Sequence, residues 1–131
     1  MLAVDTNVVV RFLVDDEPAQ HRRAVAMLSG HVVWLSRTVL LETEWVLRGA
    51  FGFEPGEIAA ALRQLTRLSG VRCEDAAAVD AAIGALEAGM DFADALHFAA
   101  SASADEGFAT FDARFVRRAR KHWPGAKLVT P

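Results

Sequence analysis

The sequence predicts an α/β fold, a central parallel sheet of about four or five short strands with helices on both faces. Three observations carry that expectation. Short apolar runs bounded by polar or glycine-containing clusters recur at residues 2–4, 32–35, 71–73, 107–110 and 127–130, and such runs read as buried strands. Segments of helical period separate them, long enough to serve as crossovers between parallel strands. The chain has 131 residues and is 53% hydrophobic, enough for a sizeable core in one domain. No internal repeat, low-complexity tract or interdomain linker interrupts it, so residues 1–131 are read as a single domain.

After the first strand, residues 7–14 predict a short helix, with continued strand as the competitor because valines are stiff at χ1. Asp15-Asp16-Glu17-Pro18 marks a turn and a helix start, and that helix runs to Gly30 with Ala24, Val25 and Leu28 on one side. Ser36-Arg37-Thr38 supplies capping chemistry for a helix from about Val39 to Arg48. Its apolar side is read from Val39, Leu40, Val46 and Leu47, with Glu42 among them and Glu44 on a different face. Pro55 opens a helix to about Leu68, past a loop holding Phe51 and Phe53. An alanine-rich helix spans 75–88 and stops at Gly89, the next begins at Asp91, and residues 113–121 form a basic helix. Trp34 and Trp45 lie in apolar segments and are expected in the core, whereas Trp123 is the least constrained tryptophan.

The net charge is −3, so no overall basic excess advertises nucleic acid, although a local basic face can accompany an acidic site. The single cysteine, Cys73, permits no intrachain disulfide and is read as a buried thiol. The N-terminus lacks a basic segment followed by a long apolar stretch. No uncharged apolar run approaches the roughly 18 residues that span a bilayer. These features predict a cytoplasmic protein with no membrane partner.

Four acidic positions stand out: Asp5, Glu42, Asp94 and Asp112. Asp5 and Asp112 each follow a short apolar strand, Asp94 lies in the first turn of a helix, and Glu42 lies among apolar residues. Carboxylates in such surroundings are costly unless paired or bound to a cation. A hard divalent ion such as Mg²⁺ or Mn²⁺ removes the repulsion between them and takes oxygen ligands. The competing explanation is local: Asp5 makes a turn, Asp91 and Asp94 favour a helix start, and Asp112 caps the last helix. Glu42 has no such capping role.

Leu2-Ala3-Val4-Asp5-Thr6-Asn7 resembles the opening of PIN-domain proteins. Residues 39–47, Asp91-Phe92-Ala93-Asp94-Ala95-Leu96 and Thr110-Phe111-Asp112 resemble their later motifs, in order and across nearly the whole chain. Size and motif wording are similar to the VapC toxins of type II toxin–antitoxin pairs. The resemblance implies a PIN fold and a Mg²⁺- or Mn²⁺-dependent ribonuclease. It implies Asp5, Glu42, Asp94 and Asp112 as the catalytic acids, with Asp5, Asp94 and Asp112 holding the metal. Thr6, Asn7, Asp91 and Thr110 would support them. It also implies an RNA substrate, a cognate VapB-type antitoxin and a homodimer. Glu44 competes with Glu42, which the spacing to Trp45-Val46-Leu47 favours, and Asp91 competes with Asp94 one helical turn away. His97 shares that helix face as a ligand, a general base or a packed histidine. Arg114, Arg117, Arg118 and Lys121 form a basic cluster suited to RNA phosphates or to plain solvation.

Two other functions compete. An aspartyl-phosphate phosphotransferase with Asp5 as nucleophile usually wants a second acid two residues on, where this chain has Asn7. A catalytically inactive PIN-like scaffold that binds RNA or protein is the other, and the full set of acids argues against it.

Overall fold

The computed structural model describes residues 1–131. They form two compact units, Met1–Ala76 and Ala77–Pro131. The first holds β1 (Leu2–Ala3), α1 (Thr6–Leu13), α2 (Pro18–Gly30), β2 (Val33–Leu35), α3 (Arg37–Gly49), α4 (Pro55–Thr66) and β3 (Val71–Cys73). The second holds all but the first residue of α5 (Ala76–Glu87), then α6 (Phe92–Ala99), β4 (Phe108–Ala109), α7 (Ala113–His122) and β5 (Leu128–Val129). The mixed α/β class and the parallel pairing are as expected. The sheet is short: three strands in the order β1-β2-β3 and a parallel β4-β5 pair, each strand of two or three residues.

In the first unit β2 is the central strand, with Val33 in register with Leu2 on one side and Val71 on the other. Val33 and Leu35 are fully buried and Trp34 is half-buried, so both faces of the strand are shielded, as a parallel sheet requires. The chain leaves β1 and turns helical at once. Asp5 begins α1, its carbonyl accepting from the Val8 and Val9 N–H groups at 3.1 and 3.3 Å. Helix prevails over extended strand here despite the valines. Their propensity cost is tenths of a kcal/mol each, against roughly 1.5–3 kcal/mol for burying each side chain, and Val9 and Val10 are buried. The helix packs against α2 and α3.

Ser36 caps α3 by accepting from Val39 N at 3.2 Å. The buried side chains of α3 are Leu40, Thr43, Glu44 and Leu47, the i, i+3, i+4, i+7 stripe of a helix with one face inward. This corrects two expectations. Glu42, expected on the apolar side, is exposed, because it stands two residues from both Leu40 and Glu44 and so projects from the opposite face. Trp45, expected in the core, is 63% exposed for the same reason. A capping box opens α4 beside Pro55, with Glu54 N donating to Glu57 at 3.0 Å. Ile58, Ala59, Leu62 and Leu65 then form its buried stripe. Cys73 is only partly buried rather than a core thiol, since β3 ends there and the chain turns outward. Burial still pushes its pKa up.

In the second unit Gly89, at φ +89°, ends the turn after α5. Its buried residues are mostly aliphatic, with Phe92 and Phe115 among them, and a cluster of half-buried rings packs around Phe115. Phe98 of α6 meets Phe108 edge-on at 5.7 Å, Phe115 at 6.2 Å and Trp123 at 5.0 Å between ring centroids. Trp123 is therefore a packing residue, held against Phe98. Gly107 is required where the chain enters β4: its φ is +114°, and a Cβ there would stand 2.8 Å from the Lys127 carbonyl oxygen.

The fully buried Leu62 of α4 tests this packing. Leu62→Ala is expected to lower stability by about 2–5 kcal/mol, whereas the exposed neighbour Gln64→Ala stays within about 0.5 kcal/mol. Denaturant unfolding of the two variants measures the contrast.

Candidate active site

Three of the acidic residues singled out from the sequence are helix N-caps. Asp5 Oδ1 accepts from Thr6 N at 2.8 Å at the start of α1. Asp91 Oδ2 accepts from Asp94 N at 3.0 Å at the start of α6. Asp112 Oδ1 accepts from Phe115 N at 3.0 Å at the start of α7. Each carboxylate satisfies an orphan N–H of its helix and sits at the positive end of the dipole. Each uses one oxygen for this bond, and all three residues are exposed. Thr110 supports Asp112 through its hydroxyl, which accepts from Asp112 N at 3.0 Å. Thr6 is 6% exposed and its hydroxyl has no partner, an orphaned polar atom directly beside Asp5. Asn7 is exposed in the first turn of α1.

The two glutamates of α3 are placed differently. Glu44 is buried, its side chain 3% exposed, and accepts from Arg48 Nε at 3.0 Å and Nη2 at 3.3 Å. Both of its oxygens are engaged in this ion pair. Glu42 carries no hydrogen bond or ion pair and faces solvent. Arg37, at the first position of α3, is tied to the end of β3: its N–H donates to Glu74 at 2.9 Å. That bond, with the side-chain contacts of Arg37, holds the Glu74 carboxyl below its ordinary value against a weaker opposing effect of burial. Nothing in the pattern of residue types announced either pair beforehand, although Glu44 and Arg48 stand at i, i+4.

The second unit gathers negative charge at the starts of α6 and α7. The pKa of Asp94 is raised, first by burial and then by the charges of Asp91 and Asp112, with His97 opposing. Asp91, Asp112 and His97 thus all act on Asp94. Asp5 and Glu42 belong to the first unit. Within neither unit do three Asp, Glu, His or Cys side chains stand close enough together to hold an ion.

The basic residues of α7 lie opposite its buried stripe of Phe115, Val116 and Ala119. Arg114, Arg117, Arg118 and Lys121 are all exposed. Arg118 is partly engaged, donating to the Gly89 carbonyl at 2.6 Å. Arg114, Arg117 and Lys121 have no partner and keep their charges available to an anion.

Asp94 fixes a pH dependence. A carboxyl whose folded pKa lies above its unfolded value binds more protons in the folded state. Its contribution is therefore favourable at low pH and is lost as pH rises from the unfolded value through the raised one. Asp94→Asn is expected to raise the melting temperature of metal-free protein at pH 7, with the gain shrinking toward zero below the ordinary Asp range near 3.8. Thermal melts of both proteins across that range in EDTA provide the test; a gain independent of pH would overturn the electrostatic cause.

Neither a curated protein nor a solved structure matches the chain. No helix is long and apolar enough to cross a membrane. The profile of the PIN domain, typically a nuclease fold that uses divalent metal, matches residues 2–121 and so spans nearly all of the sequence, and the chain belongs to the PIN domain family.

Proposed function

We propose that this chain, as one PIN domain, is a divalent-metal-dependent endoribonuclease toxin of the VapC kind. It hydrolyses RNA phosphodiester bonds in the cytoplasm, acts as a homodimer and is neutralised by a cognate VapB-type antitoxin. The observation that carries the nuclease reading is the set of exposed carboxylates at helix starts, each with one oxygen bonded to its own helix and one left over. The toxin, antitoxin and dimer parts rest on the likeness of the motifs alone.

The donor chemistry fits Mg²⁺ or Mn²⁺: the groups are oxygen donors, and Asp94, whose pKa is raised first by burial and then by Asp91 and Asp112, carries a cost that a cation relieves. Asp5, Asp94 and Asp112 are the residues assigned to hold it. When bound, such an ion supplies an acidified water and offsets charge on the phosphoryl group. The protein's own residues do the rest. The caps fix the orientation of Asp5 and Asp112, and Thr110 steadies the backbone of Asp112. Asp91 fixes the first turn that carries Asp94. Glu42, unengaged, is the glutamate free to accept a proton, whereas Glu44 is held by Arg48. The exposed cations of α7 are assigned to RNA phosphates.

The competing reading is a PIN-like scaffold that binds RNA or protein without turnover. Metal binding without cleavage would select that reading.

Purified protein with Mg²⁺ or Mn²⁺ is expected to cleave RNA, leaving 5′-phosphate and 3′-hydroxyl ends. EDTA is expected to abolish cleavage, and Asp5→Asn to reduce it by roughly 10²-fold or more. Asn is itself a good N-cap, so a loss in this variant reports charge and not helix fraying. Products ending in 2′,3′-cyclic phosphate would exclude metal-assisted hydrolysis. The α3 glutamates give a separate contrast. Glu42→Gln is expected to lose activity with its melting temperature unchanged. Glu44→Gln is expected to lose stability while the folded fraction keeps its rate. The reverse pattern would reassign the role to Glu44.

A further inference from the structure

Within the first unit, α1 and α2 border an open cleft of ≈ 380 Å³. Its volume falls in the roughly 300–1,000 Å³ range of small-ligand pockets. Val8, Ala24 and the exposed Met27 give it apolar lining, and Asn7, Arg11, Gln20 and Arg23 line the rest. No acidic residue lines it. Arg11 is prealigned: its Nη1 donates to Asp16 Oδ1 at 2.5 Å, and its carbonyl meets His21 Nδ1 at 2.9 Å across the two helices. Arg23 and Gln20 are exposed and their side chains have no partner.

We infer that this cleft is a nucleotide subsite, seating one unpaired base of the RNA substrate and thereby setting a sequence preference for cleavage. The inference rests on the ribonuclease reading for its substrate class and adds to it a place and a set of residues. The chemistry of the lining selects the occupant. Guanidinium groups only donate and suit a phosphate, whereas carboxamides both donate and accept and so can read a base edge. The apolar lining adds nothing for a bare inorganic anion but can cover the face of an unstacked base, the usual way single-stranded RNA is recognised. Asn7 links the cleft to the proposed chemistry. It lies on the cleft wall and also two residues beyond Asp5, in the first turn of the helix that Asp5 caps.

The test is binding of the full chain to fluorescent oligoribonucleotides of A, C, G or U, read by anisotropy in EDTA so that no cleavage occurs. The unmodified protein is expected to prefer one base. Met27→Ala, which removes apolar cover, is expected to weaken the preferred oligomer several-fold and to reduce the preference. Gln20→Ala, a surface change that leaves folding intact, is expected to flatten the preference with a smaller loss of affinity. Arg23→Ala is expected to weaken all four oligomers alike. Equal binding of all four by the unmodified protein, or an unchanged preference in both Met27→Ala and Gln20→Ala, overturns the subsite. Displacement of RNA by a poly-glutamate peptide, with no base preference, overturns it in favour of an acidic protein partner. Cleavage by the unmodified protein in Mn²⁺ is scored separately. Cleavage with silent cleft variants means that only the subsite fails, and no cleavage at all means that the ribonuclease reading fails.

Discussion

An α-helix begins with N–H groups that the helix itself leaves unpaired, and in this chain N-cap aspartates satisfy them at three places. The strands are two or three residues long, so the backbone has little room between the end of a ladder and the next helix. At β1 and again at β4 the chain turns helical within a few residues, and the residue at the turn is an aspartate. Each such cap contributes on the order of 0.5–2 kcal/mol to its helix, enough to matter for helices of eight to ten residues. The same placement leaves an acid at the surface with a fixed backbone and one oxygen not engaged by the helix. Helix initiation and chemistry therefore do not compete for these residues. The local explanation of Asp5, Asp91 and Asp112 as caps is correct as structure and leaves their chemical roles open.

Much of the fold was legible because the signals were local. Pro18 and Pro55 open α2 and α4 where the sequence places them, and Val71–Cys73 is a strand with the expected bounds. What failed was phase and partnership. In α3 the pairs spaced by seven, Val39 with Val46 and Leu40 with Leu47, share no single face. Only the buried Thr43 and Glu44 show which pair points inward. A threonine whose hydroxyl returns to the Val39 carbonyl at 2.7 Å and a glutamate neutralised by Arg48 both pass as core residues, and neither reads as apolar. Glu42 and Trp45 were misplaced for that one reason. Strand partnership is non-local, so the pairings β1-β2-β3 and β4-β5 had no signature along the chain. The candidate acids were legible as residues. Their neighbours were not: the Arg37–Glu74 tie, the orphaned Thr6 hydroxyl and the cleft between α1 and α2 all depend on how helices pack.

The electrostatics of the acids divide by position. A carboxylate at an N-cap is favoured by the helix end and by the N–H it accepts. Asp94 stands three residues into α6, where the dipole also favours negative charge, yet its pKa is raised. Burial, Asp91 and Asp112 together outweigh the helix end and His97, so the strain of gathering acids in the second unit falls on the least exposed member. Such a residue gains most from a cation, because binding offsets both the desolvation and the repulsion that the folded chain otherwise bears. The unpartnered Arg114, Arg117 and Lys121 of α7 do not remove this stress, since solvent screens exposed side chains of that helix. A protein of net charge −3 thus keeps one carboxyl raised by burial and by neighbouring acids, while the basic side chains of α7 face solvent.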